Sequence, residues 1–206
     1  MTTEKSIARG RFAMATVATK TMTAEEFFDW VHLPENRDRH FELEQGEIVE
    51  MSLPGERHGV VCANSVWILG SYTRQRRKGY VCGNDTGLVL ERDPDTVRGA
   101  DVALYAESRA YQELEPKYSE LLPTLAVEVL SPTDRWKKML RRIGQFLAKG
   151  VSMVWLVDPE DRTVTFFRKG QEPVFLEEAD ELTGMDVLPE FSCRVADFFI
   201  MPGETP

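Results

Sequence analysis

The chain has 206 residues, enough for one sizeable hydrophobic core and short for two independent domains. Hydrophobic residues make up 42% and charged residues 29% of it, which excludes the low-hydrophobicity composition of disordered proteins. The net charge of -9 excludes a surface that binds phosphate everywhere, so any nucleic-acid contact needs a local basic patch.

The cysteine pattern indicates a reducing compartment. Cys62, Cys82 and Cys193 are odd in number, lie far apart and form no C-x-x-C pair. Neither a disulfide framework nor a thiolate zinc site is therefore expected. Because no window reaches the apolar length of a membrane span, we expect a cytoplasmic protein without a membrane partner.

The ends of the chain differ in character from its middle. Residues 1–21 are too broken by polar residues for a signal peptide and predict a loose leader, with Met14 or Met22 as an alternative start. We expect one domain over residues 22–200 and a short tail over residues 201–206.

The first half of the chain predicts two helices and several strands. Residues 23–26 have the form of a capping box and begin a short helix. Gln45-Gly46 predicts the turn of a hairpin. Apolar residues at helical spacing, followed by a basic last turn and Gly79, predict a longer helix. The predicted strands of this half are 40–44, 47–51, 80–82, 87–90 and 97–105.

The second half predicts a buried strand followed by a helix and two more strands. Residues 125–130 are almost continuously apolar, which is typical of a central strand covered on both faces. A helix is predicted from about Asp134 to Gly150, with strands at 153–157 and 163–168. Trp67, Trp136 and Trp155 are predicted to lie in the core. The element order predicts a mixed α/β or α+β fold.

Glu128 interrupts the apolar strand, where an unpaired carboxylate would cost several kcal/mol to bury. On a strand its side chain shares a face with Ala126, a small residue that leaves space beside the carboxylate. Asp101 repeats this arrangement between Gly99 and Ala103, and Glu42 lies on a third strand. The three acids could therefore surround one ligand.

Two explanations of this acid cluster stay open. Clustered carboxylates need a proton or a cation, and oxygen ligands suit Mg²⁺ or Mn²⁺. Alternatively, Glu128 pairs with a nearby arginine, while Asp101 and Glu42 are edge-strand residues that face water.

Six segments carry a resemblance to a known family. In order along the chain they are 41–47, 54–58, 83–87, 98–103, 127–132 and 150–159. Each segment is weak alone, but their order and spacing are specific. Together they resemble the Uma-two family of restriction endonucleases, within the PD-(D/E)XK nuclease superfamily, over residues 22 to about 199.

The resemblance implies a restriction-endonuclease-like fold, in which a mixed central sheet is flanked by helices. It further implies that Asp101, Glu128 and the backbone carbonyl of Val129 bind the metal, supported by Glu42. In such nucleases a metal neutralises charge on the phosphate and activates the attacking water.

The sequence departs from the family pattern in the helix after Glu128. Members usually carry a lysine at the position of Arg142, usually an acid at that of Lys138, and usually a proline at that of Ala100. A lysine can lose its proton when desolvated, whereas a guanidinium stays charged and can only hold phosphate or orient a carboxylate. We include Arg142 among the catalytic candidates.

Other candidates concern the substrate. His58 is expected on the substrate side, and Lys137 and Lys138 are expected to contact DNA. The basic run at residues 74–78 and the basic residues 135–142 could form one DNA-facing surface.

Three functions remain in competition. The first is a Mg²⁺-dependent DNA endonuclease, with a homodimer as the simplest way to cut both strands. The second is a nuclease-fold protein that binds nucleic acid or a partner without cutting. The third, a carboxylate-pair hydrolase for another substrate, lacks a supporting motif.

Overall fold

The computed structural model describes residues 21–132 and 134–204 of the chain. Residues 1–20 of the predicted leader, including the alternative start Met14, lie outside the described residues, as does the end of the predicted tail. The helices are α1 Ala24–Val31, α2 Glu56–Arg76 and α3 Trp136–Lys149, with 3-10 helices at Tyr111–Glu113 and Val195–Phe198. The strands are β1 His40–Glu44, β2 Glu47–Met51, β3 Tyr80–Glu91, β4 Thr96–Tyr105, β5 Leu125–Val129, β6 Met153–Asp158, β7 Thr163–Phe167, β8 Val174–Leu176, β9 Glu181–Thr183 and β10 Ser192–Arg194.

Eight strands form one mixed sheet. Its order is β2-β1-β4-β5-β6-β7-β8, and β3 also pairs with β4. The β5–β6 pair is parallel and the other pairs are antiparallel. The strands β9 and β10 form a separate small sheet. This architecture confirms the predicted mixed α+β class and the central place of β5.

The two long helices cover opposite faces of the large sheet. From α2, Val61 and Leu69 pack with the face that carries Trp155. From α3, Ile143 and Phe146 pack on the other face. Every residue of β5 is buried, as its continuous apolar pattern predicts for a strand covered on both faces. No helix in residues 21–132 and 134–204 has the length and apolar character needed to cross a membrane.

One edge of β4 is shared by two strands. Since β3 pairs with β4 along most of its length, β1 and β5 must use the opposite edge. There β1 pairs at Val97 and β5 pairs from Val102 to Leu104. Residues 98–101 lie between these two pairings, where none of the described strands pairs with them on this edge. We call this stretch the β4 gap.

Local sequence signals set the first elements. Thr23 and Glu26 form the predicted capping box of α1. Gln45 and Gly46 join β1 to β2 with φ values of 51° and 77°, the left-handed backbone that a tight hairpin turn requires. Both predictions are confirmed.

Several predicted features differ from the structure. The two short strands at 80–82 and 87–90 are one strand, β3, because a bulge at residues 84–85 lets the pairing continue. Trp155 is buried as predicted, but the core prediction is wrong for Trp67, which is 76% exposed, and for Trp136, which is 56% exposed. Trp136 opens α3, and Trp67 lies on the outer side of α2.

Asp95 joins α1 to the turn between β3 and β4. Its carboxylate is buried and accepts hydrogen bonds from the N–H of Ala24 at 2.8 Å and from the Nη1 of Arg92 at 2.7 Å. Burial alone would raise the pKa of Asp95, but these hydrogen bonds lower it below its usual value.

We predict that Asp95→Asn destabilises the fold by about 1–3 kcal/mol, since the buried side chain that accepts from Ala24, Asp93 and Arg92 loses its charge and one of its two acceptor oxygens. Because the folded-state pKa of Asp95 is lowered, its contribution is present at neutral pH and disappears as the pH falls through that value. Urea unfolding at neutral and acidic pH measures both effects. The exposed Asp38, substituted by Asn, is the control. A difference between the two variants that persists unchanged at acidic pH would contradict the prediction.

Candidate active site

Arg142 connects two buried carboxylates across the β4 gap. Its Nε donates to Oε2 of Glu128 at 2.5 Å, and its Nη1 donates to Oε1 of Glu42 at 2.6 Å. Its Nη2 donates to the carbonyl of Gly99, which lies within the gap. The guanidinium therefore bonds to β1, β4 and β5 at once.

Arg98 holds Glu42 from the other side. Its Nη1 donates to Oε2 of Glu42 at 2.6 Å, and its Nε donates to Oε1 of Gln145 on α3 at 2.8 Å. Both oxygens of Glu42 thus have arginine partners, and its side chain is only 8% exposed. Glu42 therefore has no carboxylate oxygen without an arginine partner.

Glu128 keeps one oxygen free among the described residues. Its Oε2 accepts from Arg142, whereas its Oε1 is buried and has no hydrogen-bond partner. Burial raises the pKa of Glu128 well above its usual range, and the charge of Arg142 opposes this rise. A buried carboxylate oxygen without a donor is costly unless a ligand binds it.

Asp101 lies at the point where β4 and β5 separate. Its Oδ2 accepts a hydrogen bond from the N–H of Val129 at 2.7 Å. This side-chain bond takes the place of a main-chain hydrogen bond between β4 and β5. Since the N–H and C=O of one strand residue point to the same side, the carbonyl of Val129 also faces β4. Asp101 and this carbonyl therefore border the same end of the gap, and the charge of Asp101 acts on the neighbouring Glu128.

His58 closes the site from the first turn of α2. Its Nε2 lies 3.4 Å from Oδ1 of Asp101, and its Nδ1 lies 3.4 Å from Sγ of Cys62. Burial alone would lower the pKa of His58, but the carboxylate of Asp101 gives a net rise. Burial raises the pKa of Cys62, which keeps it a thiol. Cys62 was not among the candidates, because its i+4 spacing from His58 acquires meaning only on a helix.

A fourth acid, Asp85, belongs to the bulge of β3. Asn84 and Asp85 have φ values of 62° and 51°, a left-handed backbone that these residue types tolerate. The bulge crosses Gly99 so closely that a Cβ there would lie 2.4 Å from the carbonyl oxygen of Asp85. Burial and then the charge of Asp101 raise the pKa of Asp85. Asp85 was not among the predicted site residues, although it lies within segment 83–87, one of the six that carry the family resemblance.

The charges around the β4 gap do not cancel. Four carboxylates, those of Glu42, Asp85, Asp101 and Glu128, face the two guanidinium groups of Arg98 and Arg142. When all are ionised, two negative charges remain in excess. The adjoining pair of Glu44 and Arg141 leaves this excess unchanged.

The chemistry of the free oxygens fits a hard divalent cation. The unpartnered Oε1 of Glu128, the carboxylate of Asp101 and the carbonyl of Val129 are oxygen donors, as Mg²⁺ and Mn²⁺ prefer. The group of His58, Cys62 and Asp101 also brings three ligand atoms within 4.8 Å of one another. The raised pKa of Cys62 makes its thiol a poor ligand, so the oxygen set suits a metal better.

The remaining candidates lie apart from the acids. Lys137 and Lys138 are exposed on the first turn of α3 and form no ion pair within the described part of the chain. The basic run at the end of α2 does not join them, because α2 and α3 lie on opposite faces of the sheet. In addition, Arg76 pairs with Glu190 and Lys78 pairs with Glu107. A single DNA-facing surface made of both basic groups is therefore excluded.

The fold resembles that of a solved structure. The large sheet and its two covering helices define a mixed α+β protein. A crystal structure described as a "putative nuclease belonging to DUF820", from Anabaena variabilis ATCC 29413, matches with a TM-score of 0.72 and 22% identity. The match covers 86% of this chain and 97% of that chain and shows a common fold.

The family itself follows from the sequence match. The Uma2 family, described as "Putative restriction endonuclease", matches residues 24–196. The chain belongs to the Uma2 family, which confirms the resemblance to the Uma-two family and the restriction-endonuclease-like fold. No curated protein matches the chain.

We predict that Arg142→Met lowers the free energy of unfolding by about 3–5 kcal/mol, because it leaves Glu42 and Glu128 buried without their common partner. Arg141→Met is the matched control. Arg141 is the preceding residue, and its ion pair with Glu44 is largely exposed and worth at most about 1 kcal/mol. Urea denaturation compares the two variants. Equal losses would show that the buried pairs do not hold the gap together.

Proposed function

We propose that the protein is a Mg²⁺- or Mn²⁺-dependent endonuclease that hydrolyses phosphodiester bonds of DNA. The observation that carries this proposal is the buried, unpartnered Oε1 of Glu128 beside Asp101. A family described by restriction-endonuclease activity supports the choice of DNA as substrate.

Asp101, Glu128 and the carbonyl of Val129 would hold the metal. Such a cation neutralises charge on the scissile phosphate and lowers the pKa of an attacking water. The excess of two negative charges around the β4 gap equals the charge of one divalent ion. Burial raises the pKa of both Asp85 and Glu128, and the charge of Asp101 adds to the rise, so a bound cation would favour the ionised form of both acids.

The protein groups around these ligands fix their orientation. Arg142 holds one oxygen of Glu128 and thereby directs the other into the site. The N–H of Val129 holds one oxygen of Asp101, and His58 lies beside the other. Glu42 keeps the guanidinium of Arg142 in place. In this proposal Arg142 and Glu42 are positioning residues, and His58 lies where the substrate phosphate enters.

A second candidate function is DNA binding without cleavage. It is favoured by one observation, that Arg142 already pairs with Glu128 and Glu42 and so neutralises part of the charge that a metal would neutralise. A guanidinium also cannot act as a proton acceptor at neutral pH. The two candidates differ in whether Arg142 orients Glu128 for a metal or competes with the metal.

Assembly and location follow from the same proposal. Two strands of a duplex are cut most simply by two symmetric sites, so we propose a homodimer. The three free cysteines accord with a reducing compartment, and we propose the cytoplasm.

We predict that Glu128→Gln abolishes Mn²⁺ binding and lowers plasmid cleavage by more than about 100-fold, since the substitution removes a charge but keeps the shape. Isothermal titration with Mn²⁺ and a plasmid nicking assay measure the two effects. The control is Glu47→Gln, which changes an exposed acid on β2. Unchanged Mn²⁺ affinity in Glu128→Gln would show that Glu128 is not a ligand.

We predict that Arg142→Lys leaves the cleavage rate unchanged or lowers it, because an ammonium cannot reproduce the three directed hydrogen bonds to Glu128, Glu42 and Gly99. Mn²⁺ affinity should weaken in parallel, since the orientation of Glu128 is lost. A rate increase of tenfold or more, about 1.4 kcal/mol of barrier, would contradict this role and support suppression by the guanidinium.

A further inference from the structure

An apolar groove lies beside the acidic site. It runs between α3 and the strands β6, β7 and β8, on the face of the sheet that also carries Glu128, and its volume is about 620 Å³. Its apolar and aromatic wall consists of Leu130, Trp136, Leu140, Leu156, Phe167 and Phe175. Leu130 follows Val129 directly, so the groove begins one residue, about 3.8 Å of chain, from a proposed metal ligand.

Two aromatic rings of the groove are open to water. Trp136 is 56% exposed and Phe175 is 59% exposed, and Leu140 lies between them in the wall with 40% exposure. Large apolar side chains at such exposure indicate a surface that binds something flat or apolar.

The charges around Trp136 are arranged for a phosphate chain. Arg135, Lys137 and Lys138 are the sequence neighbours of Trp136 at the start of α3, are exposed, and form no ion pair with any described residue. The next two basic residues of α3, Arg141 and Arg142, are both paired with acids. The start of α3 therefore combines an exposed tryptophan with three unpaired cations.

The lining of the groove also contains two acids, Asp158 and Asp161, and Oδ1 of Asp158 accepts the N–H groups of Glu160 and Asp161. A carboxylate repels a phosphate, whereas a ring N–H of a nucleobase, such as the imide N–H of thymine, could donate to it. The groove itself therefore suits a base and not a phosphate.

We infer that this groove binds an unpaired nucleobase of the substrate strand, stacked on Trp136, while Arg135, Lys137 and Lys138 bind the flanking phosphates. This inference rests on the proposed function, because the groove adjoins the site of cleavage. Bases inside a duplex are covered by their neighbours, so the substrate class is single-stranded DNA or DNA with an extrahelical or frayed base.

The test measures binding without cleavage. Fluorescence anisotropy in EDTA compares two oligonucleotides of equal length, one of thymidines and one abasic, so that the phosphates are the same and only the bases differ. The full chain is used as wild type and as Trp136→Ala. The control is Trp67→Ala, which removes another exposed tryptophan, from α2 on the opposite face of the sheet.

The wild type should bind the thymidine oligonucleotide about tenfold more tightly than the abasic one, and Trp136→Ala should abolish that preference without weakening abasic binding. Trp67→Ala should keep the preference. Lys137→Ala should weaken binding of both oligonucleotides equally and reduce its salt dependence.

Equal loss for both oligonucleotides in Trp136→Ala would overturn the inference. So would a change from dimer to monomer in that variant with unchanged base preference, which would assign the groove to a second copy of the chain. A wild type that shows the base preference but never cuts would contradict the nuclease activity while it supports the groove assignment.

Discussion

The guanidinium of Arg142 is the interaction on which the arrangement of β1, β4, β5 and α3 depends. It bonds to carboxylates on β1 and β5 and to a carbonyl in the β4 gap between them. Glu42 and Glu128 are buried, and removal of the partner of a buried carboxylate costs several kcal/mol. At the β4 gap, four residues of one strand edge have no pairing strand among the described residues. The side chain of Arg142 therefore joins the strands there in place of main-chain hydrogen bonds.

The ion pairs of Arg142 leave one carboxylate oxygen of the site without a partner among the described residues. Arg142 and Arg98 satisfy both oxygens of Glu42 but only one oxygen of Glu128. If these acids served only the fold, each buried carboxylate oxygen could have had a hydrogen-bond donor from the protein. The charge of Asp101 acts on Glu128, so a cation bound by the unpartnered oxygen of Glu128 would reduce the repulsion between the two acids.

Sequence patterns identified the residues of this site better than its geometry. Glu128 was identifiable because it interrupts an apolar strand, and its pairing with an arginine, one of the two explanations left open, is observed. The other half of that explanation fails for Glu42, which is 6% exposed and not a water-facing residue. The β4 gap itself was not predictable, because which strands share an edge depends on contacts between residues far apart in the chain. Trp136 was predicted to lie in the core because it sits among apolar residues, but α3 buries Met139, Ile143 and Phe146, and Trp136 is 56% exposed.

One helix, α3, carries both Arg142 and Trp136. The two residues are six positions apart, about 9 Å along a helix axis, which is on the order of the rise of two to three nucleotides in B-DNA. Ile143 and Phe146 fix the helix on the sheet, so Trp136 cannot move relative to the β4 gap without unpacking the core. A strand that runs along α3 would thus meet the stacking surface and the acidic gap at a fixed spacing. The same packing that neutralises Glu128 would set the distance between the bound base and the phosphate that is cut.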